Sequence, residues 1–169
     1  WWFYPSQGAT EVDRYVIYNY VDNTWSIGTL TRTAWHDSGT FRLPIASSSN
    51  GKVFNHENGV NDVSSAMAAS LETGFFSGDE NGDNIIMISR IIPDTTFAAG
   101  SSVNFSIISK RYPNDSTITK GPFAVTSSTN KLNLRSRGRS FQCKWESTAL
   151  NTSWRLGTWR AEGQADGTR

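Results

Sequence analysis

The sequence predicts an all-β protein in which partial β-propeller blades are followed by an antiparallel β-sandwich-like domain. Residues 14–20 and 84–92 are rich in β-branched and aromatic side chains, which favour strands. Residues 102–112 alternate apolar and polar side chains with the two-residue period of a strand that has one wet face. Across the 169 residues there is no convincing apolar period of 3.6, so helices are not expected.

The first predicted region, residues 1–60, begins with a three-stranded antiparallel sheet. Residues 1–4, 14–20 and 24–30 are its strands, joined by a polar loop and then by a tight turn. Both faces of the middle strand are apolar, so we expect cover on both sides, as in an inner propeller blade. Two further short strands are predicted around a turn in which Gly51 supplies the positive φ.

The second predicted region, residues 61–169, follows a stretch rich in Asn, Gly, Asp and Ser. Residues 66–76 contain Ala, Met and Leu, which a helix would accept, but Gly74 and the two Phe residues after it favour extended chain. The remaining strands are predicted from apolar or alternating segments at 84–92, 102–112, 121–128, 131–145 and 153–163.

The segment predicted as a strand at 131–145 has to change face near its middle. Its apolar residues lie at even positions up to Leu134 and at odd positions from Phe141 onward. A strand of period two cannot move its apolar side chains to the other face without an extra residue. We expect a bulge or tight turn at Gly138 to supply that change.

Composition and charge exclude several classes of protein. The formal net charge of +1 predicts no strong attraction to nucleic acid or to membrane surfaces. The single Cys143 excludes an internal disulfide framework and a Cys-rich zinc site. Apolar runs stop well short of about 18 residues, and no signal-peptide pattern is present, so no membrane segment is expected. Because there is no nucleotide fingerprint or Gly-rich phosphate loop, no cofactor is expected.

The polar clusters predict no catalytic site. His36, Asp37 and Ser38 are the residue types of a catalytic triad, but neighbours in one loop cannot converge as a triad requires. A metal site built on His36 and His56 would need a carboxylate partner, so we interpret both as ordinary hydrogen-bonding histidines. The carboxylates available to a glycosidase all lie in turns without a supporting pattern: Glu11, Asp13, Asp22 and Asp37.

Residues 79–84 resemble the first half of a calcium-binding loop, with oxygen-bearing side chains at alternate positions from Asp79 to Asp83. The position that would carry the bidentate Glu of such a loop is Arg90, inside an apolar strand. An Asn-Gly hairpin turn explains the segment more simply. We predict no metal site, and calcium near Asp79 and Asp83 remains an open alternative.

The arginine and tryptophan residues indicate contact surfaces. Arg135, Arg137 and Arg139 form a spaced basic row that suits either a subunit contact or a solvated strand face that discourages edge pairing. Contact with DNA phosphates is a third alternative, which the net charge disfavours. The seven tryptophans are typical of core or interface anchors, and they can also form platforms for sugar rings. We interpret Trp25 and Trp35 as core residues.

Both regions contain distinctive aromatic and turn motifs. Those of the first region are WWFYPS at the start, DRYVIYNYVDNTWSIGTLTRTAW at 13–35 and PIASSSNGKVFNHENGVND at 44–62. Those of the second region are IIPDTTF at 91–97, LRSRGR at 134–139, SWRLGTWR at 153–160 and DGTR at 166–169. Together they resemble the C-terminal part of podophage tail hub proteins, also called packaging-stabilisation or nozzle proteins, and the motifs of the second region resemble the closing segment of that family.

The resemblance implies a non-enzymatic part of the virion tail, assembled in the host cytoplasm, whose copies form a homo-oligomeric ring below the portal. It also implies contacts with other tail and head-to-tail connector proteins. The ring would enclose phage DNA without sequence-specific binding and retain it in the capsid. Members of this family are longer, so the chain is expected to be a C-terminal part whose first blade lacks its neighbours.

The subunit contacts that the resemblance implies would use large aromatic and arginine side chains. The residues we assign to them are Trp1, Trp2, Arg135, Arg137, Arg139, Trp154 and Trp159. A glycan-binding β module is the alternative, in which Trp1, Trp2 or Trp35 stack on sugar faces.

Overall fold

The structure is a computed structural model that describes residues 1–82 and 84–167. It divides into two compact units, Trp1–Gly59 and Val60–Arg169, named here the first unit and the second unit. Every helix or strand element among the described residues is a β-strand, so the all-β prediction is confirmed. The finer assignments to a propeller and a sandwich stay predictions. None of the described residues belongs to a helix long and apolar enough to cross a membrane.

The first unit contains two small antiparallel sheets. The predicted three-stranded sheet is present, with its strands in chain order, and a second sheet follows it. The turn between the last two strands places Gly51 at a φ of 77°, as predicted. The strands of this unit are β1 (Trp2–Tyr4), β2 (Arg14–Asn19), β3 (Thr24–Thr29), β4 (Ala34–His36), β5 (Ile45–Ser47) and β6 (Val53–Asn55).

The second unit is built from longer strands. The segment 66–76 is extended rather than helical, as Gly74 and the paired Phe residues predicted. The strands of this unit are β7 (Asn61–Asp62), β8 (Ser65–Ala66), β9 (Ala69–Glu72), β10 (Phe76–Ser77), β11 (Ile86–Ile92), β12 (Thr95–Phe97), β13 (Ser102–Lys110), β14 (Ile118–Thr126), β15 (Leu132–Gly138), β16 (Ser140–Ser147), β17 (Trp154–Leu156) and β18 (Arg160–Ala165).

Two sheets of the second unit share one hydrophobic core. One sheet has the order β10-β16-β13-β14, with β9 also paired to β16, and the other has the order β15-β11-β18. The predicted inward positions of β13 are confirmed, because Val103, Phe105 and Ile107 are all buried. The predicted wet face is wrong at Ser106, which is buried as well. The buried cluster that spans the two sheets consists of Ile88, Ile91, Val103, Phe105, Ile107, Val125, Leu132, Leu134, Phe141, Cys143 and Trp145.

The chain passes from one sheet to the other at Gly138. The buried positions are even along β15 and odd along β16, so the predicted change of face is confirmed. Its cause is a corner between two sheets, because β15 pairs with β11 while β16 pairs with β13. A Cβ atom at Gly138 would lie 2.8 Å from the main-chain oxygen of Lys110, so the corner requires glycine.

Candidate interaction surface

An aromatic cluster, named here the inner cluster, covers one face of the sheet formed by β1, β2 and β3. The ring of Trp35, on β4, has its centroid 5.7 Å from that of Trp1 and 5.3 Å from that of Phe3. Tyr15 lies 4.9 Å from Trp1, and His56 lies 4.6 Å from Trp35. Trp35 is partly buried, which agrees with its interpretation as a core residue. The first unit is therefore more than a single layer of strands.

The inner cluster depends on the small size of Gly28. Gly28 pairs with Tyr15 across β2 and β3, and the Tyr15 ring lies directly over it. A Cβ atom built at Gly28 would be 2.4 Å from the Cζ atom of Tyr15, so any larger residue would displace the ring. The glycine therefore positions Tyr15 against Trp1.

The opposite face of the same sheet carries a second aromatic group, named here the open face. Trp2 on β1, Tyr18 on β2 and Trp25 on β3 project from it, and Ile27 lies beside them. The Trp25 ring stacks on Tyr18 with centroids 4.5 Å apart and on Trp2 with centroids 5.9 Å apart. Trp2 is 56% exposed and Trp25 is 64% exposed.

The open face corrects one prediction. Trp25 is not a core residue, because it is largely exposed and its edge strand β3 has no second layer over this face within residues 1–59. The inner cluster covers the other face of the sheet. Cover of the open face was expected from neighbouring blades, and that expectation stays a prediction. Residues of the β2–β3 turn extend the exposed surface, since Tyr20 and Val21 are also largely exposed.

The histidines make ordinary hydrogen bonds, as interpreted from the sequence. The Nδ1 atom of His36 lies 2.6 Å from the main-chain oxygen of Asp37, whose carboxylate accepts a hydrogen bond from Trp35. The Nε2 atom of His56 accepts a hydrogen bond from the Nε atom of Arg32 at 3.0 Å. No group of three potential metal ligands lies together in residues 1–82 and 84–167.

The turn at Asp79 is organised by hydrogen bonds. Its Oδ2 atom accepts from the main-chain nitrogen of Asn84 at 3.1 Å and from the side-chain amide of Asn84 at 2.9 Å. Burial opposes ionisation of this carboxyl, but the hydrogen bonds from Asn84 outweigh it and lower the pKa of Asp79. Asp83, the other residue of the calcium alternative, lies outside the described residues.

The loop between β1 and β2 is fastened by Asp13. Its carboxylate accepts one hydrogen bond from the hydroxyl of Ser6 and another from the main-chain nitrogen of Ser6, each at 2.6 Å. Both hydrogen bonds lower the pKa of Asp13, and the bond from the hydroxyl has the larger effect.

An open groove of about 320 Å³ lies between this loop and residues 31–33, with Glu11 and Arg32 on its walls.

Acid should weaken the first unit through Asp13. Because the folded state lowers this pKa, the stabilisation is present above the unfolded-state value of about 3.9 and is lost as the pH falls through the folded-state value. We expect the melting temperature, followed by tryptophan fluorescence, to fall as the pH drops below about 4. Asp13→Asn should flatten this dependence, and Ser6→Ala should reduce it in part. An equal acid response in Asp13→Asn and in the unsubstituted chain would contradict the assignment.

The predicted arginine row is divided by the corner at Gly138. Arg135 and Arg137 lie on β15, where Arg135 is exposed and Arg137 forms a salt bridge with Asp166. The same guanidinium donates a second hydrogen bond to the main-chain oxygen of Asp166 at 2.8 Å. Arg139 lies between β15 and β16, and its guanidinium stacks over the ring of Tyr112. The prediction of a single row on one strand face is therefore wrong, because Arg139 lies outside the strand that carries Arg135 and Arg137.

The other predicted contact residues lie in both units. Trp1 belongs to the inner cluster, whereas Trp2 belongs to the open face. Trp154 and Trp159 are partly buried against the core of the second unit. The indole of Trp154 donates a hydrogen bond to the hydroxyl of Ser147 at 2.9 Å. Their role in subunit contacts stays a prediction.

Sequence reasoning did not predict that Tyr18 and Trp25 lie on an open face. Tyr18 was identified only as a strand residue, and Trp25 was placed in the core. The sequence could have shown this pairing, because a hairpin closed by residues 20–23 places Tyr18 directly opposite Trp25. A pair on an edge strand keeps its solvent face unless another layer covers it.

The chain was compared with protein families and with curated proteins. No family model matches the chain, and no curated protein matches it. The surface is therefore interpreted from its own geometry and chemistry.

Proposed function

We propose that the chain is a structural component of a bacteriophage tail, a subunit of a hub or nozzle ring below the portal that retains packaged DNA. The observation that carries the proposal is the open face, on which Trp2 and Trp25 stay exposed while Trp25 stacks on Trp2 and on the half-buried Tyr18. Exposed apolar patches of this kind are typical of protein–protein contacts. In the proposed ring, a neighbouring subunit covers this face.

The open face has the properties of an interface anchor. Tryptophan and tyrosine are enriched among the residues that dominate binding energy, and they lose little side-chain entropy on binding. Trp25 already stacks on both Tyr18 and Trp2, so its ring orientation is set before a partner binds. A contact between this face and a different surface of the next copy is heterologous, and such contacts generate closed rings when the rotation closes.

The assignment to a tail is tested on particles of a phage that encodes this chain. We expect mass spectrometry of purified particles to detect the chain in several copies, and labelled antibodies to bind below the portal. Particles without the chain, or antibody label confined to the capsid shell, would contradict the tail proposal.

The role of the open face is tested by oligomerisation of the purified chain. The double variant Trp2→Ser and Trp25→Ser should weaken self-association by about tenfold or more, as expected for anchors at the centre of an interface. Phe41→Ser with Val53→Ser is the matched control, because both residues are exposed in the first unit and lie outside the β1–β3 sheet. Analytical ultracentrifugation over a concentration series measures both. Equal self-association of the two double variants would rule out the open face as the contact.

A glycan-binding module is the second candidate, and the exposed rings of Trp2 and Trp25 favour it. Stacking on a sugar needs free ring area, and part of the Trp25 ring is already engaged by its contacts with Tyr18 and Trp2. The polar groups of the adjacent turn are also engaged, since Asn19 donates to Asp22 and accepts from the nitrogen of Val21. Saturable quenching of tryptophan fluorescence by a glycan, abolished by Trp25→Ala, would support this candidate against the ring.

A further inference from the structure

One end of the second unit carries two exposed aromatic rings, each with a cation over it. The Nζ atom of Lys110 lies 4.6 Å from the centroid of the Phe75 ring, and the guanidinium of Arg139 lies 5.2 Å from that of Tyr112. Phe75 is 42% exposed and Tyr112 is 52% exposed. Arg111, between Lys110 and Tyr112 in the chain, is exposed as well. These five residues are named here the cation–aromatic end.

The main chain holds the two cationic residues of these pairs in place. The nitrogen of Arg139 donates a hydrogen bond to the oxygen of Lys110 at 2.8 Å, and Lys110 faces Ser140 across β13 and β16. The nitrogen of Gly78 donates to the oxygen of Arg139 at 3.1 Å, which ties the chain after β10 to the same point. The two cation–ring pairs therefore stand on a rigid part of the sheet, which lowers the ordering cost of binding.

We propose that the cation–aromatic end binds single-stranded nucleic acid. Lys110 and Arg111 contact phosphates, while the exposed rings of Phe75 and Tyr112 stack on bases. A positively charged surface combined with aromatic rings is the general means by which proteins hold single strands. A base has a planar face that a ring can use, whereas an acidic peptide would engage only the cations. In a duplex the base faces are already stacked, so the rings would have no partner.

The charge of the protein sets the strength of this interaction. The net charge of the whole chain is only +1, so binding should be weak and should fall steeply with salt. Asp115, an exposed residue of the same β13–β14 hairpin, is negatively charged and should repel the phosphates. None of these residues belongs to the open face of the first unit, so this proposal and the proposed ring fail independently.

The test is fluorescence anisotropy of a labelled oligothymidylate titrated with the full chain at several salt concentrations. The double variant Lys110→Ala and Arg111→Ala should weaken binding about tenfold. It should also reduce the slope of log affinity against log salt by about 1.4, since each phosphate contact on a single strand contributes about 0.7. Tyr112→Leu keeps an apolar side chain but removes the stacking ring, and should weaken binding about fivefold or more. Asp115→Asn should strengthen binding.

The matched control removes two exposed lysines elsewhere in the same unit, Lys120→Ala and Lys131→Ala. It should change the affinity less than threefold, and thermal melting should show that each variant folds. The proposal is overturned if the control loses as much affinity as the Lys110 and Arg111 variant. It is also overturned if a duplex or heparin binds as tightly as the oligothymidylate, if Tyr112→Leu has no effect, or if no binding occurs at low salt.

Discussion

Trp145→Ala is expected to lower the free energy of unfolding of the second unit by about 3–5 kcal/mol, a large change for a domain of this kind. Trp145 is fully buried at the centre of the shared core, with its ring centroid 4.6 Å from that of Phe105. Its truncation removes the ring contacts with Phe105 and Trp159 and leaves a cavity in the core. Urea unfolding followed by circular dichroism measures the loss.

Tyr112→Ala is the control for Trp145→Ala, because it removes a large aromatic side chain from an exposed position in the same unit. We expect it to cost less than about 1 kcal/mol, since only a partly exposed cation–ring contact is lost. Equal urea midpoints for the two variants would show that Trp145 does not lie in the core as described.

Gly138→Ala is expected to destabilise the second unit by about 1–3 kcal/mol, although it adds a single methyl group. The new Cβ atom would meet the main-chain oxygen of Lys110 at 2.8 Å and the Cβ atom of Ser109 at 3.0 Å. Main-chain atoms in a paired strand cannot turn aside as the end of a flexible side chain can, so the corner between the sheets must open. Urea unfolding again gives the free energy.

Gly74→Ala is the matched control for Gly138→Ala. No atom lies within 4 Å of a Cβ atom built at Gly74, so the methyl group meets nothing. Replacing a glycine whose backbone conformation alanine accepts stabilises a protein by about 0.4–1 kcal/mol. If the two alanine variants had the same stability, the close approach at the corner would be excluded.

The local pattern of apolar and polar residues predicted the strands well, because whether a segment is extended depends mainly on its own residues. The alternation of Val103, Phe105 and Ile107 identified β13 and its buried face. The change of parity between Leu134 and Phe141 located the corner at Gly138. A bulge or tight turn was expected there, and in the structure the chain passes at this point from one sheet to the other. Pattern along one strand reports a change of face, but it does not report which strand is the new neighbour.

The surfaces could not be predicted in the same way. Trp25 and Trp145 are both aromatic residues of strands, yet one is on an open face and the other is fully buried. The difference depends on whether another sheet covers the strand, which is a property of distant parts of the chain. The same holds for Arg137, whose partner Asp166 is 29 residues away, and for Lys110, which meets Phe75 across the sheet.

By itself, the sequence determined that this chain is all-β, where most of its longer strands run and which side of β13 faces the core. These properties follow from short-range sterics and from the two-residue period of a strand. Only the tertiary structure decided that Trp2 and Trp25 stay exposed, that Arg139 leaves the arginine row, and that two cation–ring pairs meet at one end of the second unit. The physical reason is that exposure and side-chain pairing depend on which strands become neighbours, and that choice is made by packing over the whole unit.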